Sequence, residues 1–418
     1  MPDLPRKAIV TNFGDGESKL MPKPVVCHLI ERLVIGGAET LLYRLASAQR
    51  GGKYEPVVCS LEGGPIQSLL DEEGIPRVNL ERARPSIINL PRFAYQMTTI
   101  FRTLARTFRE HRVSIIHAHL QDSNLIGAVV GAYCNIAVVG TYHGLKIFPP
   151  GRSPLDPRNV MRRRLYRLAG RLSDRTIAVS TPVRDQLCDE IGLRPDKTVL
   201  VLNGVDTNFF AHAEASPRLL AELGVAKGRR IVTCVGRLIR AKNQHVLVRA
   251  MTRVRARCPD VALLLVGDGP RANDLEALVL SEGLQGTVLF ARQRTDVAAI
   301  LSASELFVLP SDFEGIPLSL IEAMASGKPV IATAVPGNVD VIGDARFGTL
   351  VPPRDPDALA DAIIGLLAEP DRARAIGRAG QAHVQANFDI RSTLAQVQAL
   401  YDDVLLERAA RDHRAAAV

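Results

Sequence analysis

The feature that most constrains this chain is a repeated alternation. A short β-branched or aliphatic run is followed by a Gly-rich or polar turn, then by a stretch with helical apolar spacing. Residues 25–29 precede Gly36-Gly37, and 41–48 then carry helical spacing. Residues 57–60 follow, 113–117 come after the amphipathic 93–109, and 137–142 and 176–180 complete a first set. A second set comprises 231–235, 262–266, 288–290, 306–309 and 329–332, again separated by helix-length segments. Such alternation makes neighbouring strands parallel, with right-handed crossovers covering both sheet faces. The fold class is therefore α/β, with two doubly wound, Rossmann-like halves.

At 418 residues the chain is too long for one core and suits two domains. The expected division is a flexible N-terminal segment 1–24, a first domain 25–205 and a second domain 206–393. The amphipathic segment from 394 to the C-terminus is expected to pack back toward the first domain. Trp is absent and aromatics make up 5% of residues, which argues against base-stacking platforms, so no nucleic-acid partner is expected. The six cysteines never approach CxxC spacing, so they read as buried thiols of a reducing compartment rather than as a zinc site or disulfide frame. No secretory leader is visible, and the longest apolar stretch, 125–140, is too short to span a bilayer.

The net charge of +8 suits an anionic substrate or an anionic membrane surface. It is spread along the chain except at 152–175, which holds eight arginines in 24 residues. That segment has two readings: a basic helix resting on an anionic bilayer, or a solvated helix leading into the next strand.

Four motifs carry chemistry. Gly36-Gly37-Ala38-Glu39 precedes a helix, where amide N–H groups favour an anion, although a plain tight turn has the same composition. Gly236-Arg237-Leu238 ends a strand, with Lys242 five residues on. Arg and Lys converging at that edge would bind a diphosphate, whereas the bland reading is a solvated basic loop. Gly267-Asp268-Gly269-Pro270 is a turn at another strand end. Ser311 to Glu322 is the most informative run. Pro317 is placed to open a helix that runs to Ser326, with Glu314 on the loop and Glu322 in the second turn. Carboxylates beside a phosphate make sense as acceptors for sugar hydroxyls, and Glu322, between Ile321 and Ala323, needs a partner.

With Tyr142-His143-Gly144, Ala178-Val179-Ser180 and Asn203-Gly204-Val205-Asp206, these motifs make the chain resemble the GT-B glycosyltransferases of the large retaining group called family 4. The resemblance covers residues 25–395 in order. One departure follows Ala334, where the family often has Gly-Gly and a Glu but this chain reads Val335-Pro336-Gly337-Asn338-Val339-Asp340.

The resemblance implies two Rossmann-like domains facing a central cleft, and transfer of a sugar from a nucleotide-diphosphate donor with retention and without a metal cofactor. It places Arg237 and Lys242 on the diphosphate, helped by amides at Gly36, Gly37 and Gly236 and around Gly315, Ile316, Pro317 and Leu318. It places Glu322 on the ribose, Glu314 near the donor sugar and His143 against the transferred sugar, a buried core histidine being the alternative. The partners implied are the nucleotide sugar and a glycan or lipid-linked acceptor met by loops 81–92 and 144–160. The setting is cytoplasmic, on the inner face of the plasma membrane if the basic helix docks there, in bacterial surface-polysaccharide synthesis. Three alternatives share the fold: a nucleotide-sugar 2-epimerase, a pyridoxal-phosphate phosphorylase, for which no suitable lysine context appears, and a non-catalytic nucleotide-sugar-binding scaffold.

Overall fold

The computed structural model describes residues 23–34, 36–81, 90–144, 156–215 and 217–416. Most of the proposed N-terminal segment and of the two proposed acceptor loops lies outside the described residues. The chain divides into two compact units, one of Met1–Val201 with Leu394–Val418, the other Leu202–Thr393.

Among the described residues, seven strands form the first sheet. They are β1 (Val25–Arg32), β2 (Glu55–Glu62), β3 (Arg77–Asn79), β4 (Val113–His119), β5 (Ala137–Tyr142), β6 (Arg175–Ala178) and β7 (Thr198–Leu200), in the order β3-β2-β1-β4-β5-β6-β7. The second unit has β8 (Arg230–Val235), β9 (Val261–Val266), β10 (Val288–Arg292), β11 (Leu306–Leu309), β12 (Val330–Thr333) and β13 (Thr349–Val351), ordered β10-β9-β8-β11-β12-β13. Every pairing within these sheets is parallel. In both units the order reverses at the first strand, between β1 and β4 and between β8 and β11. Open parallel sheets bind ligands beyond the carboxyl ends of the strands at such a switch point.

Continuous apolar strands such as Val261–Val266, buried at every position, follow from helices packing on both faces. In the second unit one face buries Val248, Met251 and Ile363, and the other buries Leu320, Met324 and Val341. The helix Ile390–Ala416 enters the first unit at Leu394, and its Val397, Leu400, Tyr401 and Val404 pack on Val26, Ile115 and Val139. Arg408 clamps the buried Asp174 at 2.8 Å. Where the chain passes between units, a Cβ on Gly204 would lie 2.8 Å from the Asp389 backbone, so the Asn203-Gly204-Val205-Asp206 motif is a packing requirement.

All six cysteines are free; Cys27, Cys59 and Cys234 are buried as expected, whereas Cys134, Cys188 and Cys258 are partly exposed. Among the described residues no helix is long and apolar enough to cross a membrane.

Candidate active site

The second unit brings its predicted residues together at the β8/β11 switch point. After β8 the chain turns at Gly236, continues through Arg237, makes a tight turn at Arg240–Lys242 and enters the helix Gln244–Arg257. Asn243 closes that turn in the left-handed region, at φ 57°, a conformation Asn tolerates better than most residues. Its side chain donates to Asp312 at 2.8 Å, and the Asp312 amide donates to the Ala241 carbonyl at 2.9 Å. The loop after β8 is thus stitched to the loop after β11.

Lys242 is the result of that stitching. Its stem passes over Gly236, and its Nζ donates to Glu314 Oε1 at 2.5 Å. Ser311 Oγ donates to the same oxygen at 2.5 Å. Glu314 is 7% exposed, so it requires a countercharge, and Lys242 supplies it. Sequence reasoning gave Glu314 only a sugar-hydroxyl role; the structure also makes it the ion-pair partner that holds Lys242 in place. Arg237 is exposed, and its carbonyl accepts from Gln244 Nε2 at 3.0 Å.

The helix carrying Glu322 spans Leu318–Ala325, with Pro317 at the N-cap rather than in the first turn, and has no side-chain cap. First-turn N–H groups at an uncapped helix mouth are suited to phosphate oxygens. Gly315, Ile316 and Pro317 are buried, Leu318 is half-buried, and Glu322 in the second turn is half-buried.

Sequence reasoning treated the Gly267 run as a turn at a strand end and the loop after Ala334 as a departure. Both are built into the site. A Cβ on Gly267 would lie 2.2 Å from the Gly236 carbonyl oxygen, and Gly267 sits at φ +135°. A Cβ on Gly337 would lie 2.2 Å from the Gly315 carbonyl oxygen. The buried Asn338 donates to the Thr333 carbonyl at 2.8 Å, and Thr333 Oγ1 donates to the Ser311 carbonyl at 2.5 Å.

In the first unit, the helix Gly37–Gln49 starts beyond the β1 end, with Gly36 as an extended N-cap and no side-chain cap. A Cβ on Gly36 would meet only the flexible end of Glu39. His143 follows β5 and is half-buried. Desolvation pushes its imidazole down to about 4, so it is neutral at physiological pH. It belongs to a cluster with His28, His117 and His119 that sequence reasoning missed. The signal was His117-Ala118-His119: alternate strand residues share a face. Burial holds His28 down to about 4 as well, and His117 and His119 well below their usual value.

The basic helix spans Pro157–Leu172, and Arg152 lies outside the described residues. Its outer side presents Arg158, Arg162, Arg164 and Arg171 with Met161 and Leu168, which are 54% and 42% exposed. Arg167 instead donates to the Ile191 carbonyl.

Comparison with known proteins agrees with this architecture. The family model described as "Glycosyl transferases group 1" matches residues 216–383, and "Glycosyltransferase Family 4" matches residues 35–209. The chain is 33% identical over 313 residues to the alpha-maltose-1-phosphate synthase of Mycolicibacterium smegmatis, covering 70% of this chain and 79% of the relative. It is 28% identical to an Escherichia coli UDP-Gal:alpha-D-GlcNAc-diphosphoundecaprenol alpha-1,3-galactosyltransferase, covering 63% of this chain and 68% of that one. Anabaena HepE, solved with UDP and glucose, superposes with a TM-score of 0.77 at 24% identity over 90% of this chain and 99% of that one. The chain belongs to the group 1 glycosyltransferases and has the GT-B fold.

Proposed function

We propose that the protein transfers a sugar from a nucleotide-diphosphate donor to a glycan or lipid-linked acceptor, with retention and without a metal. The observation that carries this reading is the Lys242–Glu314 pair on the loop that also carries the exposed Arg237, at a switch point whose neighbouring strand leads to an uncapped helix. As the bond from the anomeric carbon to the diphosphate breaks, negative charge grows on the leaving oxygens. Arg237, Lys242 and the amides around Gly315 to Leu318 stabilise it in the second unit, and the amides at Gly36 and Gly37 are the first unit's candidates for the same charge. In the second unit Glu322 takes the ribose and Glu314 the transferred sugar; in the first unit His143 is assigned to a hydroxyl of that sugar. The acceptor hydroxyl attacks from the face the diphosphate leaves, and its proton passes to a leaving phosphate oxygen. No enzymic nucleophile enters this scheme. Relatives named for UDP-Gal and solved with UDP support the donor class. The outer side of the helix Pro157–Leu172, with apolar side chains among its arginines, favours a membrane-resting, lipid-linked acceptor in surface-polysaccharide assembly.

The test is incubation with UDP-, GDP- and ADP-sugars in chelator, with proton NMR following the anomeric signal. Slow hydrolysis of one donor to a sugar of unchanged anomeric configuration is expected. Interconversion to an epimer, or dependence on added metal, would overturn the reading.

A further inference from the structure

The histidine cluster of the first unit is more than a packed core. His28 on β1 sits opposite His117 on β4 in register, and Thr141 on β5 lies beside His119. Five hydrogen bonds use every nitrogen of His28, His117 and His119. Tyr401 OH bonds His117 Nδ1 at 2.6 Å, and His117 Nε2 bonds Thr141 Oγ1 at 2.7 Å. Gln49 Oε1 lies 2.8 Å from His28 Nε2, His28 Nδ1 lies 3.1 Å from His119 Nε2, and His119 Nδ1 lies 3.4 Å from His143 Nε2. Those last three bonds form a line of rings ending at His143, whose Nδ1 is buried and has no partner among the described residues.

Each of these rings is neutral at physiological pH and therefore has one donor and one acceptor nitrogen. Each link consumes one of each, so the line runs in a single direction from end to end. The Gln49 carbonyl can only accept, which puts the proton of His28 on Nε2. His28 Nδ1 then accepts from His119 Nε2–H, and His119 Nδ1 accepts from His143 Nε2–H. The lone pair of His143 is left on Nδ1.

We propose that Gln49, His28 and His119 are positioning residues that hold His143 in the Nε2–H tautomer, so that its Nδ1 accepts a hydrogen bond from a hydroxyl of the transferred sugar. The sugar contact rests on the donor reading above; the tautomer does not. The three inner histidines are close enough to hold a metal ion, their ligand atoms lying within 4.8 Å of one another. Their nitrogens are already committed to hydrogen bonds, which favours protons over a metal.

The experiment is a long-range proton–nitrogen NMR spectrum of the full-length protein labelled with nitrogen-15 histidine. His143→Gln assigns the resonances. Wild type is expected to show a pyrrole-type Nε2 and a pyridine-type Nδ1 at His143, and no metal by elemental analysis. Gln49→Leu and His119→Phe, which keep the helix and the ring packing, are expected to mix the two tautomers. They should also lower kcat on the nucleotide sugar up to about tenfold, the loss of one hydrogen bond, while leaving nucleoside diphosphate affinity unchanged. The opposite tautomer in wild type, or one equivalent of bound metal, would overturn the relay, and neither result requires a mutant to fold. A shifted tautomer with unchanged kcat would overturn the sugar contact alone. Absence of turnover in wild type would count against the donor reading and leave the tautomer result standing.

Discussion

At the residue scale, Lys242 and Arg237 separate stability from chemistry. Both are assigned to charge that grows during bond cleavage, so replacing either with Ala should lower turnover roughly 10²–10³-fold. Their effects on folding should differ. Arg237 is exposed and its side chain has no ion-pair partner among the described residues, so Arg237→Ala should leave the melting temperature near wild type. Lys242→Ala strands the buried Glu314 carboxylate and should cost about 1–3 kcal/mol. Adding Glu314→Gln to Lys242→Ala should restore stability without restoring turnover. Thermal melts beside kinetics read this out, and equal stability of the two single variants would remove the assigned ion pair.

The buried histidines give a second residue-scale prediction. An unfolded chain protonates them as pH falls through about 6.5, whereas the fold keeps His28 and His143 neutral down to about 4. Stability is therefore level above that upper value and falls below it, by about 1.4 kcal/mol per pH unit for each histidine kept neutral. Melting temperature measured from pH 7 to 5 should drop less steeply in His28→Gln than in wild type. Parallel curves would contradict the neutral, buried assignment.

At the element scale, the loop after β8 is held toward the neighbouring strand ends by backbone hydrogen bonds. Gly236 N–H donates to Val266 at 2.9 Å, Leu238 N–H to Asp268 at 2.9 Å, and Gly267 N–H to Arg292 at 2.7 Å. Gly267→Ala would push the Gly236 carbonyl away and displace Arg237. It should reduce turnover about as much as Arg237→Ala while also lowering stability, and normal turnover would show that the loop tolerates the shift. The basic helix gives the other element-scale prediction. Arg158, Arg162, Arg164 and Arg171 face outward, so changing all four to Gln should weaken sedimentation with anionic vesicles by about 1 kcal/mol per charge. Added salt should mimic the change. Undiminished binding of the quadruple variant would leave the solvated-helix reading.

At the scale of the whole molecule, most strands were legible because buried parallel strands are continuous apolar runs. β3, β7 and β13 were not, since each has three residues and lies at a sheet edge. That Arg237, Lys242, Glu314 and Glu322 follow strand ends was legible from motif order. Ser311, Asn243 and Gly337 act by supporting other residues, and their contacts form only once distant loops are brought together. His28, Gln49 and Tyr401 come from three separate elements, so no local pattern could join them. The same logic explains Glu314, whose local sequence cannot reveal that its countercharge stands 72 positions away.

The central claim is that the second unit binds a nucleoside diphosphate through Arg237, Lys242 and Glu322. Calorimetric titration of UDP, GDP and ADP into wild type, Arg237→Ala, Glu322→Gln and Glu314→Gln, all in chelator, tests it most directly. One diphosphate should bind wild type, and affinity should fall at least about tenfold, near 1.4 kcal/mol, in the first two variants. Glu314→Gln should keep the free diphosphate and lose affinity only for its sugar-bearing form. Equal binding by wild type and Arg237→Ala, or no binding of any diphosphate by wild type, would contradict the account.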